Sequence, residues 1–302
     1  MSGLTEAEEA ACPAAARAVL IGYLAGEVSA EIALMHLLLA TGALPPLQRC
    51  LQTLGATGRD AFLRLAQLAA NHREGLARAA GLVEAGLTWA DGADRLAATR
   101  EQYDRAVAMA PEAAVALYSL GDPAILERAT GELAALLDDW GLLGPDRQAL
   151  DIGCGIGRIE QALAPHLRHI VGIDLSPAMI AEAQRRCAGI ENVAFAVCNG
   201  HELPQLAAAG FDLVLAIDSL PCVVAVAPEI AERYIRDAAR ILRPSGTIAI
   251  FNYSYRGDLA VDRADVARCA EAAGLRVLQN GTRDLTLWDG TSFLLRAPSR
   301  RE

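Results

Sequence analysis

Up to about residue 143 the apolar positions recur every three or four residues, and no run of β-branched residues alternates with polar ones. That pattern predicts an all-helical N-terminal half. From about Asp60 to Leu87, the residues Phe62, Leu65, Ala69, His72, Leu76, Ala79 and Val83 are spaced alternately by three and four, forming one seam. The seam reads first as the internal core of a helical subdomain, and second as a helix pair used for dimerisation or as a lid. His72 on it reads as a satisfied core residue rather than a ligand. Val28, Ile32, Met35 and Leu39 predict one face of an earlier helix, with Ser29 and Glu31 at its start and Pro45 and Pro46 ending it. A last helix carries Leu126, Ala129, Leu133, Leu136 and Trp140. Gly141, Gly144 and Pro145 then break the period, which puts a helical domain at 1–143 and a second domain at 144–302.

Beyond Arg147 the pattern changes to short apolar runs, QALDIG, HIVGID, VAFAVC, FDLVLAI, GTIAIFN and LRVLQN, separated by amphipathic helices. Strands interleaved with helices predict an α/β fold, a doubly wound and mostly parallel sheet covered on both faces. Ser176 and Pro177 read as the N-cap and first position of a helix that buries Met179, Ile180, Ala183 and Cys187. Pro228 opens another, with Ile230, Tyr234, Ala238 and Ile241 inward. In LTLWDGTSFLL, Asp289 and Gly290 lie between two apolar runs and predict the turn of an antiparallel hairpin at the C-terminal edge.

Composition narrows the chemistry. The chain has 302 residues and 27 basic against 37 acidic side chains, a formal charge of −10, and every basic residue is Arg. Without Lys there is no Schiff base with pyridoxal phosphate or a carbonyl substrate, and no P-loop. Net acidity disfavours nucleic acid as a partner. The longest apolar stretch, Ile32 to Ala40, is interrupted by His36 and falls far short of the roughly 20 residues of a membrane span. The acidic opening MSGLTEAEEA does not read as a targeting peptide. Seven Cys without a CxxC read as reduced thiols in a cytoplasmic protein with no metal site.

The first strand runs into Asp151, Ile152, Gly153, Cys154, Gly155, Ile156 and Gly157. Glycines there let a ligand approach the backbone at the mouth of the following helix. A nicotinamide fingerprint needs glycine at 158, where this chain has Arg158. The acid two residues before the first glycine would repel a pyrophosphate and suits a ligand carrying an ammonium and hydroxyls. Asp174, 21 positions past Gly153 at the tip of the second strand, is placed to accept from both hydroxyls of a ribose.

Together, ALDIGCGIG, IVGIDLSPAMI, FDLVLAIDSL and the ILRPSG turn resemble the class I S-adenosylmethionine-dependent methyltransferases, over about residues 147 to 297. The resemblance implies a seven-stranded sheet with a reversed last strand and S-adenosylmethionine lying across the strand ends, with S-adenosylhomocysteine as product. It implies that Asp151, Gly153, Cys154 and Gly155 border the methionine part of the cofactor, that Asp174 holds the ribose, and that Leu175 and Met179 touch the adenine. The family often has an acid after the third strand; this chain has Asn199, followed by Gly200 and His201, and the Asn carbonyl can accept the adenine amino group's hydrogen bond. The ILRPSG turn has Ser245 where the family commonly has glycine.

Methyl transfer from a sulfonium asks the protein for positioning, exclusion of water and, for some acceptors, a base. Candidates for that base are His201, Asp218, Tyr253 and Tyr255; Asp218 reads equally as a partner of the cofactor's ammonium, and His201 reads more readily as a surface residue on the adenine side. Asn252, Tyr253, Tyr255 and Arg256 in FNYSYRGD predict a substrate wall. Pro221 and Cys222 do not have the spacing of the Pro-Cys nucleophile of cytosine methylation. In related enzymes the segment before the first strand folds over the cofactor, so Tyr103 and Tyr118 are expected as substrate or cofactor contacts, with core packing as the alternative. The expectation is a methyltransferase acting on a small molecule. The competing expectations are a methyltransferase-like binding or scaffold protein and, third, a nicotinamide oxidoreductase.

Overall fold

The computed structural model describes residues 3–86, 95–203, 206 and 208–299. Helices come first in the chain: α1 Glu6–Ala11, α2 Ala14–Ala25, α3 Ala30–Thr41, α4 Leu44–Gly55, α5 Asp60–Asn71, α6 Arg73–Glu84, α7 Arg95–Met109, α8 Pro111–Val115 and α9 Pro123–Asp139. A sheet and its covering helices follow: β1 Gly144–Ile152, α10 Arg158–Leu163, β2 Leu167–Asp174, α11 Pro177–Arg186, β3 Val193–Val197, β4 Phe211–Ile217, α12 Leu220–Val226, α13 Pro228–Ile241, β5 Leu242–Phe251, α14 Leu259–Ala272, β6 Arg276–Thr282 and β7 Ser292–Arg296. No helix among the described residues is long and apolar enough to cross a membrane. All seven cysteines are free thiols. The chain divides into two compact units, one of Met1–Thr88, Arg105–Ala129 and Leu285–Asp289, the other of Trp89–Asp104, Thr130–Asp284 and Gly290–Glu302.

In the helical unit, α3 is the central element, packed against α2, α4 and α5. Ser29 caps it, its hydroxyl accepting from Ile32 N at 3.1 Å. Because α3 is covered on several sides, its buried residues are Ile32, Ala33, Leu34, Leu37 and Leu38 rather than a single stripe, and Leu39 of the predicted face is exposed. The helix stops at Gly42, whose φ of 74° suits glycine. Pro45 and Pro46, read from the sequence as its stop, instead open α4, where a missing N–H costs nothing.

The predicted seam from Asp60 is two helices, not one, and its last residue, Leu87, lies outside the described residues. Phe62, Leu65, Leu76 and Ala79 are buried as the spacing requires, but the helix breaks at His72. The cause is local. His72 Nδ1 lies 2.6 Å from Asp122 Oδ2, and the other oxygen of Asp122 accepts from Ala124 N at 2.7 Å, capping α9. Beyond the break, Gly75 of α6 meets the backbone of Leu120 and Gly121 so closely that a Cβ would lie 2.6 Å from Leu120 O.

The sheet unit has the order β3-β2-β1-β4-β5-β7-β6, parallel except for β7, which runs antiparallel to both neighbours. Central strands such as β4 are buried almost throughout because helices cover both faces. Ser176 caps α11 through Met179 N at 3.0 Å, and Pro228 opens α13, as their positions predict. Ser245 takes φ 63° in the ILRPSG turn, the conformation in which glycine carries no penalty. The C-terminal hairpin is present, but Asp289 and Gly290 are not its two-residue turn, and the apolar run before them is not its first strand. β6 ends at Thr282, and Leu285–Asp289 belongs to the helical unit. There Trp288 stacks on Tyr118 with ring centroids 6.0 Å apart, and Asp289 Oδ2 lies 3.4 Å from His36 Nε2. Burial of the indole outweighs strand pairing for this segment.

Partial burial works against the charge on Asp122, yet His72 and the amides of Ala124 and Ile125 hold its carboxyl below the usual range. Its contribution to stability is therefore present above the unfolded value and lost as pH falls through the lower folded one. Asp122→Ala should cost about 1–2 kcal/mol in urea denaturation near neutral pH, with the difference fading in acid; an equal deficit at both would contradict this role.

Candidate active site

β1, β2, β3, β4 and β5 are parallel, so their carboxyl ends share one edge of the sheet. The chain runs outward from β1 to β3 and returns to β4 on the other side of β1, which opens a crevice between the ends of β1 and β4. Gly153 lies there at φ 77°, with Gly155 at 53° and Gly157 at 75°. A Cβ on Gly153 would run into Ser219 Cβ at the end of β4, so this position requires glycine for space as well as for conformation.

Asp174 ends β2 with both carboxylate oxygens oriented by backbone amides, Oδ2 accepting from Gly155 N at 2.9 Å and Oδ1 from Ser176 N at 2.8 Å. Each oxygen keeps a lone pair for a further donor, the pair of acceptors that a ribose diol needs. Burial raises its pKa; the amides of Ser176, Gly155 and Leu175 oppose this and Asp104 adds to it. On the far side, Gly200 at φ 76° packs so close to Leu175 and Leu96 that a Cβ would lie 3.0 Å from one and 3.1 Å from the other, leaving an apolar wall.

A second group stands at the ends of β4 and β5. Asp218 and Asn252 both adopt left-handed backbones, at φ 56° and 69°, and Asn252 Nδ2 donates to Asp218 Oδ1 at 3.1 Å. Strained positions of this kind persist only where the surroundings hold them; here Asp218 N donates to Phe251 O and Asn252 N to Thr291 O, each at 2.8 Å. Tyr255 exposes about half of its surface while its hydroxyl reaches Asp218; burial of that end, then Asp218, Cys222 and Tyr103, push the phenol up. Tyr103 and Cys222 are hydrogen-bonded, hydroxyl to sulfur, at 2.9 Å. Burial pushes Cys222 up to about 12, so it is a neutral thiol, the opposite of what a nucleophilic cysteine requires.

The first ten residues of α7 tie these ends together. Arg95 Nη1 donates to the carbonyls of Ala225 and Val226 at the end of α12, each at 3.1 Å. Nine residues on, Asp104 Oδ1 accepts from Ser176 Oγ at 2.5 Å and from Ala178 N at 3.1 Å, at the start of α11. Between them lie Leu96, against Gly200, and Tyr103, on Cys222.

The family model described as "Methyltransferase domain" matches residues 149–246, which hold this acid, glycine and carboxylate arrangement. Residues 149–246 are a class I methyltransferase domain. S-adenosylmethionine is the cofactor of that class, and S-adenosylhomocysteine its product. The chain is 31% identical over 108 residues to a demethylmenaquinone methyltransferase of Tropheryma whipplei (strain Twist), covering 36% of this chain and 42% of that one. It is 33% identical over 157 residues to a 27-O-demethylrifamycin SV methyltransferase of Amycolatopsis mediterranei, covering 50% and 54%. The chain thus spans about half or less of the length of these curated relatives. Phosphoethanolamine N-methyltransferase 1 of Haemonchus contortus is similar in structure at a TM-score of 0.48 and 16% identity, over 70% of this chain and 51% of that one.

The methyltransferase domain's crevice fits the cofactor on its own evidence. Asp151 Oδ1 and Ser219 Oγ are buried without a hydrogen-bond partner among the described residues, one acceptor and one hydroxyl beside the glycine turn that would border an amino acid moiety. Asp174 offers the diol acceptors, and Leu175, Leu96 and Gly200 an apolar seat.

Of the residues singled out from the sequence, the sheet unit brings together Asp151, Gly153, Cys154, Gly155, Asp174, Leu175 and Gly200 around the ends of β1, β2 and β3, and Asp218, Tyr255, Asn252 and Tyr103 by the ends of β4 and β5. Others lie elsewhere. Met179 is buried in the core of α11. Asn199 Oδ1 accepts from His201 N at 2.9 Å and from Glu202 N at 3.4 Å, so this carbonyl is engaged by its own turn, and His201 is exposed on that turn. Tyr253 is buried, its ring edge-on to Phe293 at 6.4 Å and its hydroxyl at Cys269, a packing position rather than a wall or a base. Arg256 pairs with Asp262 and, at 2.8 Å, with Asp265. Tyr118 packs on Trp288 inside the helical unit. Sequence reasoning missed Leu96, Asp104, Glu160 and Ser219. Only Glu160 left a trace, in the glycine at 172 inside an otherwise apolar strand, which signals a close approach.

Gly153→Ala should weaken S-adenosylhomocysteine binding by at least about fivefold, since relieving the clash with Ser219 costs on the order of 1–3 kcal/mol; an unchanged dissociation constant in calorimetry would show that the crevice is not the cofactor's.

Proposed function

We propose that the chain is an S-adenosylmethionine-dependent methyltransferase whose acceptor is a small molecule, with Asp218 as the group that takes the acceptor's proton. The observation that carries the reading is the pairing, on one sheet edge, of an acid-and-glycine cradle with a separate polar group at the ends of β4 and β5. The names of the two curated relatives above describe methylation of small molecules, a quinone precursor in one and a rifamycin in the other. The acidic charge and the absence of Lys support a metabolite over a nucleic acid.

The cofactor supplies an electrophilic methyl group on a sulfonium. The protein's own residues do the rest by position. Asp174 would orient the ribose and Asp151 the ammonium, while the glycine turn lets both approach the backbone. Asp218, fixed by Asn252 and reached by the Tyr255 hydroxyl, would accept a proton from an acceptor hydroxyl or amine. Tyr103 and Cys222, both neutral, would line the acceptor's space without competing as nucleophiles. The segment Arg95–Asp104 would exclude water from the crevice, with Asp104 as its latch.

Transfer of radiolabelled methyl groups to a panel of phenols, hydroxylated polyketides and amines tests the reading. Asp218→Asn should lower turnover on the acceptor so found by about 10²–10⁴ while S-adenosylhomocysteine binds within about threefold of the wild type. Loss of binding in the variant would instead make Asp218 the ammonium's partner. Binding of the cofactor with no transfer to any acceptor would favour a non-catalytic binding protein.

A further inference from the structure

Asp151 near the end of β1 pairs in register with Gly172 of β2, so the two residues face the same side of the sheet. A Cβ on Gly172 would run into Glu160 Oε1 and lie 2.9 Å from Cys154 Sγ. The carboxyl of Glu160, from α10, thus occupies the space over the glycine and comes up to Asp151. Both are sealed from solvent, at 1% and 0% exposure. Asp151 Oδ1 and both oxygens of Glu160 accept no hydrogen bond from a donor of the protein among the described residues. Two ionised carboxylates face each other with acceptors alone, and buried they repel; a proton on one makes it a donor to the other.

We infer that Asp151 and Glu160 share a proton over Gly172, and that Glu160 is a positioning residue that governs the charge Asp151 offers to the cofactor's ammonium. The inference rests on the cofactor reading above. Glu160 holds its proton and donates to Asp151. When the ammonium arrives, any second proton on Asp151 leaves to solvent, so binding releases a proton at pH values where the pair is doubly protonated.

The surroundings agree. Burial pushes Asp151 up, opposed by Arg158 and the hydrogen bond from Glu160 and reinforced by Asp174. Burial and then Asp151 push Glu160 up further, against the opposing pull of its own backbone amide and of Arg158. Arg158 of α10, whose Nη1 donates to Thr130 Oγ1 at 2.9 Å, is the cation facing both. Asp174 of β2 is the third acid, with Asp104 of α7 behind it. The thiols of Cys154 in the glycine turn and Cys187 after α11 are both pushed up and stay neutral.

Two measurements on the full chain test this. Infrared difference spectroscopy of the ligand-free protein near neutral pH should show the C=O stretch of a protonated carboxyl that is missing in Glu160→Gln, with Glu160→Leu as a second variant should the amide disturb folding. Calorimetry with S-adenosylhomocysteine, in buffers of different ionisation enthalpy between about pH 5.5 and about pH 8, where the ligand's own groups keep their charge, should show proton release on the acid side. There the affinity should fall by up to about tenfold per pH unit. In Glu160→Leu, Asp151 loses the hydrogen bond that opposes its burial, so proton release and the slope should extend to higher pH, whereas in Glu160→Gln the amide donates in the acid's place and the profile should stay close to that of the wild type. Absence of the Glu160-dependent band overturns the shared proton. A band accompanied by the same pH profile in the wild type and Glu160→Leu overturns the link to the cofactor. Failure of the wild type to bind the ligand, with the band intact, removes the cofactor reading and the link together and leaves the proton pair standing.

Discussion

Burying carboxylates is costly unless something answers their charge, and this protein buries Asp151 and Glu160 and encloses Asp174 at the carboxyl edge of its sheet in a chain with no Lys. Each is answered differently. Asp174 is oriented by the amides of Gly155 and Ser176. Asp151 has Arg158 in its field and Glu160 at its side. Among the described residues, no group donates to Asp151 Oδ1 or pairs with Ser219 Oγ. The edge therefore offers acceptors of the kind the proposed diol and ammonium need, and the glycines at 153, 155 and 157 would let a ligand so placed lie against bare backbone.

The rest of the sheet unit serves the same edge. The return of the chain from β3 to β4 opens the crevice, and Ser219 closes on Gly153 from the far side. The segment from Arg95 to Asp104 is fastened at both ends by charge-assisted hydrogen bonds, one to helix-terminal carbonyls and one to the cap of α11. Asp104 thereby acts through Ser176 on the loop that carries Asp174. The strained pair Asp218 and Asn252 stands apart from this, on the strands next to the crevice, where an acceptor would meet the cofactor's methyl group.

Much of this was legible before any coordinates. Six of the strands and the change of pattern near residue 144 follow from periodicity, the seven-stranded sheet was implied by the family resemblance, and the acid, glycine and acid spacing of Asp151, Gly153 and Asp174 marks the crevice. What escaped depends on contacts distant in sequence. His72 sits on a perfect helical seam, yet Asp122, fifty residues away, ends the helix there. Trp288 looks like a strand residue until Tyr118 is seen beneath it. Tyr253 and Arg256 have the chemistry of a substrate wall, but Phe293 and the acids at 262 and 265 engage them. Glu160 is hidden because a charged residue on a short helix reads as solvated, and only the missing side chain at Gly172 makes room for it.

The central claim is that this acidic, glycine-lined edge binds an S-adenosyl cofactor through Asp174. Equilibrium dialysis with radiolabelled S-adenosylmethionine, on the wild-type protein and Asp174→Ala, with NAD as competitor, tests it most directly. The account predicts one equivalent bound by the wild type, no displacement by NAD and loss of binding in the variant. Binding that survives the substitution, or that NAD displaces, would contradict it.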